Sequence, residues 1–139
     1  MKRYLLDTCV VSDARTQANP GLTAWLAEAQ PAALYLSVIT VGEIAWGIER
    51  LAPGRKRATL ERWLRDDVVG TFDGRILGVS LDVASTWGRI RARAERHGNN
   101  ADSMDALLAA IAVHHDLHLV TRNEKHFIGT AVPILNPWS

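Results

Sequence analysis

The chain holds a single cysteine, Cys9, so no disulfide can form within it and a cysteine-rich zinc site is excluded. That fits a reducing compartment, and the expectation is a cytoplasmic protein. No apolar run approaches the roughly 18 residues that cross a bilayer. The opening MKRYLLDTCVV is interrupted by Asp7 before it reaches the length of a secretory signal, so no membrane is expected as a partner. An excess of one charge is also missing: 16 Lys and Arg stand against 15 Asp and Glu, a net charge of +1. Any nucleic-acid contact must then come from local clustering instead of a global field. There is no internal repeat and no low-complexity linker, so residues 1–139 are expected to form one domain, with 47% hydrophobic residues to fill its core.

What the chain does have is a regular alternation. RYLL (3–6), ALYLSV (33–38), RILGVS (75–80) and LHLVT (117–121) are short and apolar with turn or cap residues behind them, and they predict buried strands, with a last short strand at 132–135. Helical patterns span 20–30, 39–51, 55–69, 81–97 and 102–115, punctuated by Pro31, by APG at 52–54 and by HGNN at 97–100. Strand and helix in turn predict an α/β domain with a mostly parallel sheet.

In such a sheet the ligand crevice lies beyond the carboxyl ends of the strands. Those positions hold Asp7 and Thr8, Ser37, Ser80 and Asp82, then Thr121, Arg122 and Asn123. Each taken singly also reads as a helix cap, the commonest use of Asp, Ser, Thr and Asn at such places. Two helical acids are harder to explain. Asp105 adjoins a stripe of Met104, Leu107, Leu108, Ile111 and Ala112. A carboxylate there needs a cation, a hydrogen-bond network or an arginine partner, because burying it alone costs several kcal/mol. Glu43 adjoins a face of Ile39, Ile44, Ile48 and Leu51 and lies between Gly42 and Gly47. Each helical glycine costs about 1 kcal/mol, so the pair is expected where something approaches closely. Acids from three distant segments can build one pocket. A hard divalent cation such as Mg²⁺ or Mn²⁺ relieves their mutual repulsion and suits phosphodiester hydrolysis.

LLDTCVVSD, LSVITVGEIAWGI, DALLAAIAVHHDLHLVTRNEKHF and the closing ILNPW, in that order, resemble the PIN-domain ribonucleases, specifically VapC-type toxins of bacterial toxin-antitoxin pairs and their FitB-like branch. The resemblance covers nearly the whole chain. It implies a three-layer α/β/α fold with a central, mainly parallel sheet of about five strands. It also implies Mg²⁺ or Mn²⁺ dependence, endonucleolytic cleavage of RNA (transfer RNA among the targets), a homodimer, inhibition by a VapB-like antitoxin, and contact with operator DNA only through that antitoxin. Carried over by position, Asp7, Glu43 and Asp105 are the metal-holding and catalytic acids. Asn123 stands at the fourth position, which is Asp in some members, and Thr8 and Thr121 orient water or the scissile phosphate. Cys9 replaces a common Asn, and Asp13 a frequent Glu.

Several features stay outside that pattern. Arg55, Lys56, Arg57, Arg62 and Arg65 form one basic face and Arg89, Arg91, Arg93 and Arg96 another; each reads either as a phosphate track or as a solvated helix. His114 and His118 have zinc-compatible spacing, but the helix is expected to end near Asp116, between them. Trp25, Trp46, Trp63 and Trp87 read as core or as a partner seam. A receiver domain would need a phospho-acceptor Asp where Ser80 stands, and a haloacid-dehalogenase phosphatase an Asp in place of Cys9. The rival that remains is a catalytically silent PIN-like module acting by binding alone.

Overall fold

In the computed structural model, which describes residues 1–139, all five predicted strands are extended: β1 (Tyr4–Leu6), β2 (Leu34–Ser37), β3 (Ile76–Leu77), β4 (His118–Val120) and β5 (Ile134–Leu135). They form one sheet in the order β3-β2-β1-β4-β5, and every neighbouring pair is parallel. A parallel neighbour cannot be reached through a tight turn, so long crossovers intervene. Helices α1 (Thr8–Thr16) and α2 (Pro20–Glu28) lead to β2, α3 (Val38–Glu49) and α4 (Arg55–Arg62) to β3, and α5 (Leu81–Arg96) and α6 (Ser103–His114) to β4.

Side chains alternate across the strands and feed a core on each face. Leu5 and Leu119 point into a cluster with Val83, Ile90 and the buried residues of α6. Leu6, Leu36 and Val120 point into a second cluster with Val10, Leu22, Ile44 and Ile48. The result is the expected three-layer α/β/α arrangement. From β1 the strand order runs outward through β2 to β3, then the chain returns to place β4 on the other side of β1. That reversal opens a crevice beyond the carboxyl ends of β1 and β4.

Three local expectations change. The sequence pattern shows no helix directly after β1, yet α1 forms there, only nine residues long and with just Val10 and Val11 buried. Two adjacent β-branched residues are too few to display a helical period. The predicted helix over 55–69 is α-helical only to Arg62 and continues as a π-helix over Trp63–Val69. The widened coil closes with the Gly70 N–H donating to Arg65 O at 3.1 Å, where any Cβ would collide with the Asp66 carbonyl oxygen. Finally, α6 has no single apolar stripe: Ala106 and every residue from Leu108 to Ala112 are buried, while Met104 is 48% exposed. Its alanines let the sheet and α5 close on it from different sides.

Candidate active site

Asp7 follows β1 directly, and its N–H extends the ladder by donating to Val120 O at 3.0 Å. Its carboxylate is 9% exposed and well supplied with donors. Oδ1 accepts the Thr8 N–H at 2.7 Å, which caps α1, and Oδ2 accepts the Thr121 hydroxyl at 2.8 Å. The Cys9 thiol also reaches Oδ2, at 3.7 Å, and lies 3.6 Å from Thr121 Oγ1. Burial pushes the Cys9 pKa up, so it serves as a weak S–H donor and not as a thiolate.

Thr121 and Thr8 extend this network in opposite directions. Thr121 Oγ1 accepts the Asn123 N–H at 3.0 Å, tying the exit of β4 to the exit of β1. The Thr8 hydroxyl donates to Glu43 Oε1 at 2.9 Å and lies 3.2 Å from Thr40 Oγ1. A continuous polar line thus runs from Asn123 through Thr121, Asp7 and Thr8 to Glu43, across β4, β1 and α3. The capping readings hold as well: Ser37 accepts from Thr40 N, Ser80 from Val83 N and Asp102 from Met104 N.

Asp105 occupies the first turn of α6 and differs in its surroundings. Its side chain is 29% exposed, no arginine pairs with it, and its one ion-pair partner is His126, with Nδ1 3.7 Å from Oδ2. Burial pushes its pKa up to about 6; the His126 charge opposes this, and the negative charges of Asp102, Asp7 and Glu43 add to it. The three acids therefore share one electrostatic neighbourhood, although no three His, Cys, Asp or Glu side chains already stand grouped as a metal-ligand set. An all-oxygen donor set with uncompensated negative charge suits a hard divalent cation, so the residues present fit one.

Glu43 is exposed on α3, and the two glycines beside it do not serve a contact within the chain: nothing lies within 4 Å of a Cβ built at Gly42 or Gly47. Ile39, Ile44 and Ile48 turn to the core and carry the glycines outward, so the space beside Glu43 is open to an approach from outside the chain. His114 ends α6 and stacks edge-on against His115, whereas His118 belongs to β4 beside Tyr4, so the two are not on one helical turn. Of the tryptophans, only Trp46 is strongly exposed, at 64%, with Arg50 over its ring. Arg57 and Arg65 in the first basic face and Arg91 in the second are held by acids of the chain. Asp13 binds Arg122 at 2.9 Å and Trp138 Nε1 at 3.1 Å, which pins α1 to the loop after β4.

Sequence reasoning missed Lys125 and His126. Both lie on a 3-10 turn, Glu124–Phe127, directly after Asn123. A spacing of three residues brings Asn123 and His126 to the same side of such a turn, but nothing in NEKHF announces the turn itself.

A family model described as PIN domain matches residues 4–132. Toxin FitB of Neisseria gonorrhoeae is 37% identical over 135 residues, covering 96% of this chain and 97% of that protein. VapC ribonuclease Y4jK of Sinorhizobium fredii is 30% identical, covering 96% of each. Among solved structures, FitAB bound to an IR36 DNA fragment superposes with a TM-score of 0.92 at 35% identity, covering 98% of this chain and 96% of that one. No helix is long and apolar enough to cross a membrane.

Proposed function

Because the chain belongs to the PIN-domain family, we propose that it is a metal-dependent endoribonuclease toxin that hydrolyses RNA phosphodiester bonds and is held in check by a cognate antitoxin. The observation that carries this reading is the convergence of three acids from distant segments: Thr8 joins Asp7 to Glu43 by hydrogen bonds, and Asp105 feels the charge of both. Structure alone rarely maintains three acids that repel one another at the switch point of a parallel sheet. Asp7, Glu43 and Asp105 would hold Mg²⁺ or Mn²⁺, which when bound lowers the pKa of water and offsets charge on the phosphoryl oxygens. The chain's own groups do the positioning. Thr121 and the Thr8 N–H fix the Asp7 carboxylate, the Thr8 hydroxyl fixes Glu43, and Asn123, whose N–H is held by Thr121, would orient water or the scissile phosphate.

Relatives extend the reading to partners. Since FitAB is described as bound to DNA, operator contact is assigned to the toxin-antitoxin complex and not to this chain by itself. The 139 residues act as one PIN domain, paired as a homodimer in the cytoplasm, with RNA, transfer RNA included, as substrate.

One observation favours the silent-module alternative: both Asp7 oxygens already accept hydrogen bonds inside the chain. The two readings separate in one experiment. With Mg²⁺ or Mn²⁺ the parent should cleave single-stranded RNA, while Asp7→Asn and Asp105→Asn, still folded by circular dichroism, should lose about a thousandfold in rate, near 4 kcal/mol. Equal cleavage by parent and variants would overturn the assignment. No cleavage by the parent, together with no carboxylate-dependent heat of Mg²⁺ or Mn²⁺ binding, would leave the binding module.

A further inference from the structure

Beside Asp105 lies a cavity of about 490 Å³, lined also by Asn99, Asn100, Asp102, Lys125 and His126. The wall is built, not incidental. Gly129, at φ +84°, passes so close beneath Asn99 that a Cβ there would stand 2.8 Å from the amide Nδ2. The Asn99 N–H is fastened to Ala94 O at 2.8 Å, and the 3-10 turn is closed by the His126 N–H donating to Asn123 O at 3.0 Å. Asp102 spends one oxygen, Oδ1, on the Met104 and Asp105 N–H groups of α6, whereas Lys125 enters none of the chain's ion pairs. Asp102 and Asp105 line the same cavity, but neither forms an ion pair with Lys125, so its ammonium is left free for an anion, with two side-chain amides as hydrogen-bonding edges.

The geometry points to a nucleotide subsite of single-stranded RNA, in which Lys125 holds the phosphate next to the scissile one and Asn99 and Asn100 line the position of its sugar and base. His126 lines the same cavity, with Nδ1 3.7 Å from Asp105 Oδ2. A volume of this size falls in the range of small-ligand pockets and accommodates one nucleotide, with the rest of the strand passing over the surface. Lys125 is then a substrate-positioning residue: it fixes the register of the strand at the acids.

This inference rests on the RNA-cleaving reading of the same crevice, but its test does not need cleavage. Binding of a short fluorescent single-stranded RNA of mixed sequence is measured by anisotropy across a salt series, in the Asp7→Asn chain and in the same chain carrying Lys125→Ala. One charge-assisted phosphate contact predicts about tenfold weaker binding. It also predicts a log–log salt slope shallower by about 0.7. Lys2→Ala removes the same charge at the opposite end of β1 and should change neither. Equal affinity and slope with and without Lys125, or an equal loss with Lys2→Ala, would overturn the subsite while leaving the catalytic reading to be judged by the acid variants. If the parent also cleaves, Lys125→Ala should raise KM more than it lowers kcat.

Discussion

The floor and the rim of the crevice hold the same residue type in opposite ways. On the floor, Asp7 is nearly buried, and three donors meet its carboxylate: a helix N–H, a threonine hydroxyl and a thiol. On the rim, Asp105 is more exposed and yet worse served, with a histidine at 3.7 Å and other negative charges around it. Burial and satisfaction are therefore separate quantities. Asp7 is an acid the fold uses to join α1, β1 and β4, and Asp105 is an acid the fold merely tolerates. Tolerance of that kind is what a cation-binding site looks like before its cation arrives.

The sharpest way to break the comparison is to truncate each acid. Asp7→Ala removes a helix cap and leaves the buried Thr121 hydroxyl without its acceptor, so urea unfolding should show a loss of about 2–4 kcal/mol. Asp105→Ala should lose little or gain stability without divalent ions, and an equal loss at both positions would end the distinction. Next, Thr121→Val should cost about 1–3 kcal/mol, because it strips the donor from Asp7 and the acceptor from the Asn123 N–H together.

A smaller effect sharpens the rim half. The pKa of Asp105 is raised from 3.8 to about 6 by folding, so the native state binds more protons between those values. Stability should accordingly fall as pH rises through that window and stay lowered above it, by about 1–2 kcal/mol after allowance for solvent screening. Denaturation midpoints across the window, parent against Asp105→Asn, test this; the variant should lose that component of the slope. Added Mg²⁺ should recover stability in the parent above pH 6 and much less in the variant. Smallest of all, Cys9→Ser should move stability by about 0.5 kcal/mol or less, since two stronger donors already hold Asp7.

Much of this architecture is legible in the amino-acid sequence. The strand runs announce themselves because a doubly covered parallel sheet demands continuous apolar segments. Asp7, Glu43 and Asp105 stand out as acids beside apolar runs, and Asp7 as a cap. What stays hidden is what depends on neighbours distant in sequence. Nothing in TCVVSDART shows that Val10 and Val11 have a core to enter, and no period marks where α4 widens into a π-helix. Gly42 and Gly47 suggest a close approach without saying from which side, and the fold leaves the space at both open. Lys125 and His126 lie in a short turn without periodicity, and their relation to Asp105 exists only in three dimensions.

The central position of β1 bears on timing. The first strand to be synthesised sits between β2 and β4, and Asp7 obtains its Thr121 hydroxyl from a residue 114 positions later. At about 5–20 residues per second, translation supplies that partner on the order of ten seconds after Asp7 itself. Until then β1 has a neighbour on one side only, and the acids share no crevice. On the proposed reading, a nuclease with this strand order is inert on the ribosome for nearly the whole of its own synthesis, and the interval gives an inhibitor made alongside it time to be waiting.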